Sequence, residues 1–217
     1  MKALSILPLF FVMSIQIVFG QSDKYQKIME TNVAQFDTAK TGQSFVTLFN
    51  SFERVAMVEK NQWLPYYYAS LCAAQASYRD EAKIDQWADK ADAYALKVDS
   101  LQGDQSETLV VRAMAALARI NVDFMSRGIY YSELAADYLQ KAAKINPKNP
   151  RTSLVLAQIK INTPAQFGGD KGLGCQLIAQ SLQLFKEADA AKNTLAPHWG
   201  RATADAVSKR CGTPTTK

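Results

Sequence analysis

The chain has 217 residues, of which 48% are apolar, with 25 Lys and Arg against 20 Asp and Glu and a single histidine. That length supports one domain with a sizeable core. The formal net charge of +5 is spread among acids, as in Lys83-Ile84-Asp85 and Lys90-Ala91-Asp92, so the basic block that a nucleic-acid partner needs is missing and no nucleic acid is expected.

The chain opens on Met1-Lys2, then an apolar run from Ala3 to Phe19, closed by Val18-Phe19-Gly20. Charge, apolar stretch and small-residue exit are the layout of a cleaved secretory signal. Residues 1–20 are expected to be removed, leaving an exported protein, periplasmic or secreted, with no stable membrane insertion. An uncleaved anchor is disfavoured, because the run falls short of the ~20 residues of a span and contains Pro8. The remainder is expected to form one helical domain over 21–211 and a flexible tail over 212–217.

Apolar residues recurring every three or four positions predict helices along the chain and no strands. Tyr25, Ile28, Met29, Val33 and Phe36 mark a helix over 22–40. Phe45, Leu48, Phe49, Phe52 and Val55 mark the next, over 44–59, with Ser44 as its cap. Further helices are expected over 61–79, 82–101, 105–126, 130–146, 149–161, 170–191 and 199–210, about nine in all. Most joints fall at glycines, Gly128 among them. Asn149-Pro150-Arg151 reads as a helix start with proline at its first position. Short joints make neighbouring helices antiparallel, so the fold class is all-α, with helical hairpins stacked in an irregular solenoid.

Within Ser132 to Pro150, Ala135 and Ala142 are small, Leu139 between them is bulky, and Ile145-Asn146-Pro147 closes the segment. This pattern resembles the second helix and exit turn of a tetratricopeptide repeat. Small residues let the two helices of a hairpin approach, and the bulky one locks against the next hairpin. The spacing returns at Gly174, Ile178, Ser181 and Leu184, and more weakly at Ala88, Ala95 and Val98. The likeness covers 61–191 but departs from the family in period: 135 − 88 = 47 and 174 − 135 = 39 residues, against ~34 for regular repeats. The resemblance implies a stack that binds its partner on the face lined by first helices, where Arg151 and Gln158 fall. Pro164-Ala165-Gln166-Phe167-Gly168-Gly169-Asp170 resembles a turn of exported tetratricopeptide-like proteins, including helical partners of bacterial substrate-uptake systems.

No catalytic constellation emerges. His198, in Ala196-Pro197-His198-Trp199-Gly200, has no serine–acid pattern beside it and reads as a turn residue. Asp80-Glu81 and Asp89 with Asp92 have lysines nearby and read as solvated faces. Phosphate loops, calcium loops and Cys-x-x-Cys pairs are absent from the sequence, so no enzyme, metal or cofactor is expected. Cys72 suits a core position. Cys175 and Cys211 lie on the last two helices; bonded, they would close a loop of about 36 residues and contribute on the order of 4 kcal/mol. Bonded and free states both stay open at this point.

Tyr66, Tyr67 and Tyr68 point in three successive helical directions, so at least one faces a hairpin interface or an open surface, and Tyr130-Tyr131 raises the same question. The leading expectation is a non-enzymatic exported scaffold that docks a protein or peptide through Tyr66, Tyr67, Arg151 and Gln158. On that view Tyr66→Ala or Arg151→Ala weakens partner capture and leaves the helical signal intact. The alternative is a small-solute-binding or uptake-system accessory protein of the periplasm. Oligomeric state stays open.

Overall fold

The computed structural model describes residues 16–188 and 194–212, with side chains from residue 23 onward. Among the described residues there are nine α-helices and no strand: α1 Gln16–Thr38, α2 Gly42–Val58, α3 Trp63–Ser77, α4 Ile84–Ser100, α5 Gln105–Arg119, α6 Phe124–Ile145, α7 Pro150–Asn162, α8 Lys171–Ala188 and α9 Arg201–Cys211. Of the expected signal, residues 1–15 lie outside the described residues, as do 213–217 of the expected tail and 189–191 of the eighth expected helix.

Side chains set several helix starts. Thr41 and Ser44 satisfy each other's backbone amides at the start of α2. Asp104 accepts from the Glu107 amide before α5, and Asn149 accepts from the Arg151 amide before α7, with Pro150 in the first turn. The largest departure from expectation lies between α5 and α6. The sequence suggests a helix to 126, a joint at Gly128 and a new start at 130. Instead α5 ends at Arg119, a 3-10 turn covers Ile120–Val122, and α6 starts at Phe124 with Gly128 inside it. The reason is Asp123. Its carboxylate accepts from the amides of Met125 and Ser126 and from the Ser126 hydroxyl, and a cap of that kind outweighs one interior glycine.

Helices α3, α5 and α7 touch in succession, while α2, α4, α6 and α8 pack against them as hairpin partners. The alanines of α3 (Ala69, Ala73, Ala74, Ala76) and of α5 (Ala113, Ala115, Ala116, Ala118) are buried and let these backbones approach closely. Around them the main core gathers aromatic rings: Phe52 stacks on Tyr68 at 5.1 Å, and Phe36 meets Phe45 edge-on at 5.6 Å. A smaller core joins α7, α8 and α9 through Leu154, Ala157, Ile178, Phe185, Ala204 and Val207. Cys175 of α8 and Cys211 of α9 are disulfide-bonded, and Cys72 is a buried free thiol.

The segment 194–200 is laid across the α3–α7 layer. The Tyr68 hydroxyl contacts the carbonyls of Leu195 and Ala196 at 3.2 Å each, Arg151 donates to the Pro197 carbonyl, and the Trp199 indole donates to the Tyr67 hydroxyl at 2.8 Å. On its other side His198 Nε2 lies 2.9 Å from the Asp37 carboxylate of α1. The chain's own connection thus covers part of the face on which a partner was expected.

Candidate functional site

Tyr67 and Arg151, two of the residues expected to dock a partner, belong to an internal network. Glu107 accepts from the Tyr67 hydroxyl at 2.6 Å and from Arg151 at 3.1 Å, and all three side chains are buried. The Arg151 guanidinium also sits over the rings of Phe185 and Trp199, at 5.6 and 5.5 Å. Burial pushes the Glu107 carboxyl above its ordinary value, while Arg151 and the Tyr67 hydrogen bond pull it back. Burial, followed by the Glu107 charge, holds the Tyr67 hydroxyl well above the usual tyrosine value.

The docking role assigned to Tyr67 and Arg151 is therefore corrected. Neither is presented to a partner, and truncating Arg151 would strand a buried charge rather than spare the fold. Helical periodicity registers neither this nor the reason, which is that a segment more than forty residues downstream folds over α7. Tyr66 is half-buried, donates to the Ala56 carbonyl at 3.0 Å and tilts against Tyr94 at 6.1 Å. Gln158 is half-buried on α7. The structure does not gather these four residues into one open groove.

A different set of side chains is exposed together. Helix α6 has 22 residues against 15 in α5 and 13 in α7, and none of residues 124–133 is buried. This overhang carries Phe124, Met125, Ile129 and Tyr130, with Met125 87% and Ile129 77% exposed. Met125 and Ile129, one turn apart, share a side of the helix. The Phe124 ring meets the ring of Phe167, also exposed, edge-on at 6.1 Å. Exposed apolar side chains gathered at one helix end in this way mark a candidate binding surface.

The Pro164–Asp170 turn aims Phe167 at the patch. Phe167 ends a 3-10 turn, Ala165–Phe167, which Gly168 leaves with φ +88°. A Cβ on Gly169 would meet the Thr163 carbonyl oxygen at 1.7 Å, so only glycine fits there. The Asp170 amide donates to the Lys160 carbonyl at 2.9 Å, and Lys160 Nζ donates to the Gly168 carbonyl at 2.9 Å, next to Phe167. On the other flank, charges moor α6. Arg127 grips Asp85 of α4 at 2.7 and 2.9 Å and Arg112 of α5 donates to the Tyr138 hydroxyl, while Arg119 on Asp89 and Asp92, with Arg112 on Asp92, ties α5 to α4 beside them. Tyr131 turns inward, beneath the Arg119 guanidinium at 5.7 Å, and leaves Tyr130 exposed.

Aromatic rings, a thioether and a branched aliphatic chain at a helix end suit a flat apolar ligand face, and Lys160 at the margin suits an anionic group. Among the described residues no group of three or more His, Cys, Asp and Glu side chains is placed to hold a metal ion. His198 is engaged elsewhere, by Asp37 and the Ala196 carbonyl. Phe124, Met125 and Ile129 do not stand out in the sequence, because Gly128 reads there as a joint. The signal that finds them is Asp123 three residues before Ser126, followed by apolar residues one turn apart.

No family model and no curated protein matches the chain. Among solved structures it is similar to the HusA haemophore from Porphyromonas gingivalis, with 32% sequence identity over 89% of this chain and 95% of that one and a TM-score of 0.81. This finding corrects the expected partner. The similar protein is a haemophore, a name that points to a small ligand rather than to a protein or peptide partner.

Proposed function

Since this chain belongs to the family of the HusA haemophore, we propose that it is an exported, non-enzymatic carrier of haem or a closely similar porphyrin, bound on the apolar patch at the start of α6. The observation that carries this reading is the joint exposure of Phe124, Met125, Ile129, Tyr130 and Phe167 around the start of α6. A porphyrin is a flat ring with two apolar faces and carboxylates along one edge. Covering apolar side chains with such a face contributes roughly 25 cal/mol per Å² removed from water. The edge-on pair Phe124–Phe167 supplies ring contacts, Met125 an adaptable one, and Lys160 a cation for a carboxylate.

Export through a removed signal over 1–20, with one helical domain over 21–211, fits a carrier that meets its ligand outside the cytoplasm. No described helix is long and apolar enough to cross a membrane. The small-solute alternative meets this reading directly, because the Pro164–Asp170 turn carries Phe167. The tetratricopeptide likeness belongs to the reading too, supported by the burial of Ala135, Leu139 and Ala142 at their small and bulky positions.

Titration with hemin, followed by the Soret band and by quenching of tryptophan emission, tests the site. Ile129→Asp places a charge in the proposed contact and should weaken hemin binding at least about tenfold, with Phe124→Ala acting in the same direction. Both side chains are exposed, so the helical signal and Tm should hold. Wild-type affinity in both variants would move the site elsewhere.

A further inference from the structure

Resting on the carrier reading, we propose that Met125 is an oxidation-sensitive element of the patch, and that a hydroperoxide converting its thioether to the sulfoxide weakens ligand binding. Four methionines have described side chains. Met29 and Met114 are buried in the core, whereas Met57, near the end of α2, and Met125 are exposed. Met125 is the more exposed of the pair and stands between Phe124 and Ile129 on the overhang of α6. The cysteines leave little competing chemistry, since Cys72 is buried and Cys175 and Cys211 are bonded to each other.

The step balances without a further reactant. A sulfur lone pair attacks the outer oxygen of the hydroperoxide, an S–O bond forms as the O–O bond breaks, and the departing oxygen leaves as water or an alcohol. Sulfur is oxidised by two electrons, the hydroperoxide is reduced by two, and the peroxide proton ends on the leaving oxygen. The product turns a flexible apolar side chain into a polar, chiral one. On a buried residue that change would damage the fold. At the start of α6 it falls on the binding surface, so the fold is retained and the ring contact is lost.

The whole mature protein is treated with hydrogen peroxide, freed of it, mapped by peptide mass spectrometry and titrated with hemin. Met125 and Met57 should each gain one oxygen before Met29 and Met114, with hemin affinity falling roughly tenfold or more and the helical signal unchanged. Methionine sulfoxide reductases should restore the affinity. Met57→Leu should show the same loss on oxidation, whereas the affinity of Met125→Leu, whatever its starting value, should not change with peroxide. Oxidised wild-type protein that binds hemin as tightly as before, or a Met125→Leu variant that loses affinity as the wild type does, overturns the switch alone. Untreated protein that binds no hemin overturns the carrier reading, and the switch with it.

Discussion

Glu107, Tyr67 and Arg151 meet where α3, α5 and α7 come together, and the Trp199 indole closes the group from outside. A buried pair of opposite charges contributes little relative to an apolar pair of the same volume, yet removing one partner is expensive. Arg151→Ala should therefore lower unfolding stability by about 3–5 kcal/mol in a denaturant titration, whereas Tyr66→Ala, at a half-buried site, should cost less. The pair also leaves a trace in pH. Because burial raises the Glu107 carboxyl above its ordinary value of 4.5, the native state holds that proton more tightly than the unfolded chain does. The stability it contributes is complete below 4.5 and is lost as pH rises through the folded value. A profile of Tm against pH should show this decline in the wild type, and Glu107→Gln should remove it.

At the scale of the helix, α6 combines two regimes. Its second half buries Ala135, Leu139 and Ala142 and belongs to the core. Its first half projects, held by the Asp123 cap, by Arg127 on Asp85 and by Phe124 against Phe167. Local opening is cheapest where few apolar contacts are buried, so amides 124–130 should exchange faster than amides 135–142. Asp123→Ala should speed that exchange further and weaken hemin binding while leaving the global Tm nearly unchanged. The Ser126 hydroxyl, then the Ser126 amide, hold the Asp123 carboxyl below its ordinary 3.8. Its contribution is present above 3.8 and is lost as pH falls through the lower folded value, so acid should loosen the start of α6 in the wild type.

For the molecule as a whole, the final helix depends on links that are distant in sequence. Helix α9 buries only Ala204 and Val207, and the bond between Cys175 and Cys211 ties it to α8. The segment 194–200 ties the same end of the chain back to α1, α3 and α7. Alkylation of the denatured, unreduced protein should modify one thiol, Cys72. Reduction should lower stability by about 4 kcal/mol in the chain-entropy account, with α9 losing amide protection first. Equal unfolding midpoints with and without reductant would show that the bond adds nothing.

The all-α plan, nine helices among the described residues, was legible in the sequence, because a period of three to four residues is a local property that each helix carries alone. So was the start of α7, where Asn149-Pro150 acts over a single turn; at α2 the cap is Thr41 rather than the expected Ser44, which lies inside the first turn as its reciprocal partner. The oxidising context of Cys175 and Cys211 was legible too, but whether the two sulfurs meet depends on how α9 returns to α8. The joint at Gly128 misled, since a glycine's preference is weak beside a carboxylate that satisfies two amides of the next helix. That one displacement hid the apolar overhang, and with it the candidate site. The fates of Tyr67 and Arg151 also lay beyond the sequence, because exposure on the α3–α7 layer is decided by a segment that arrives from the far end of the chain. Periodicity tells which face of a helix is apolar; only the tertiary structure tells whether a neighbour extends far enough to cover it.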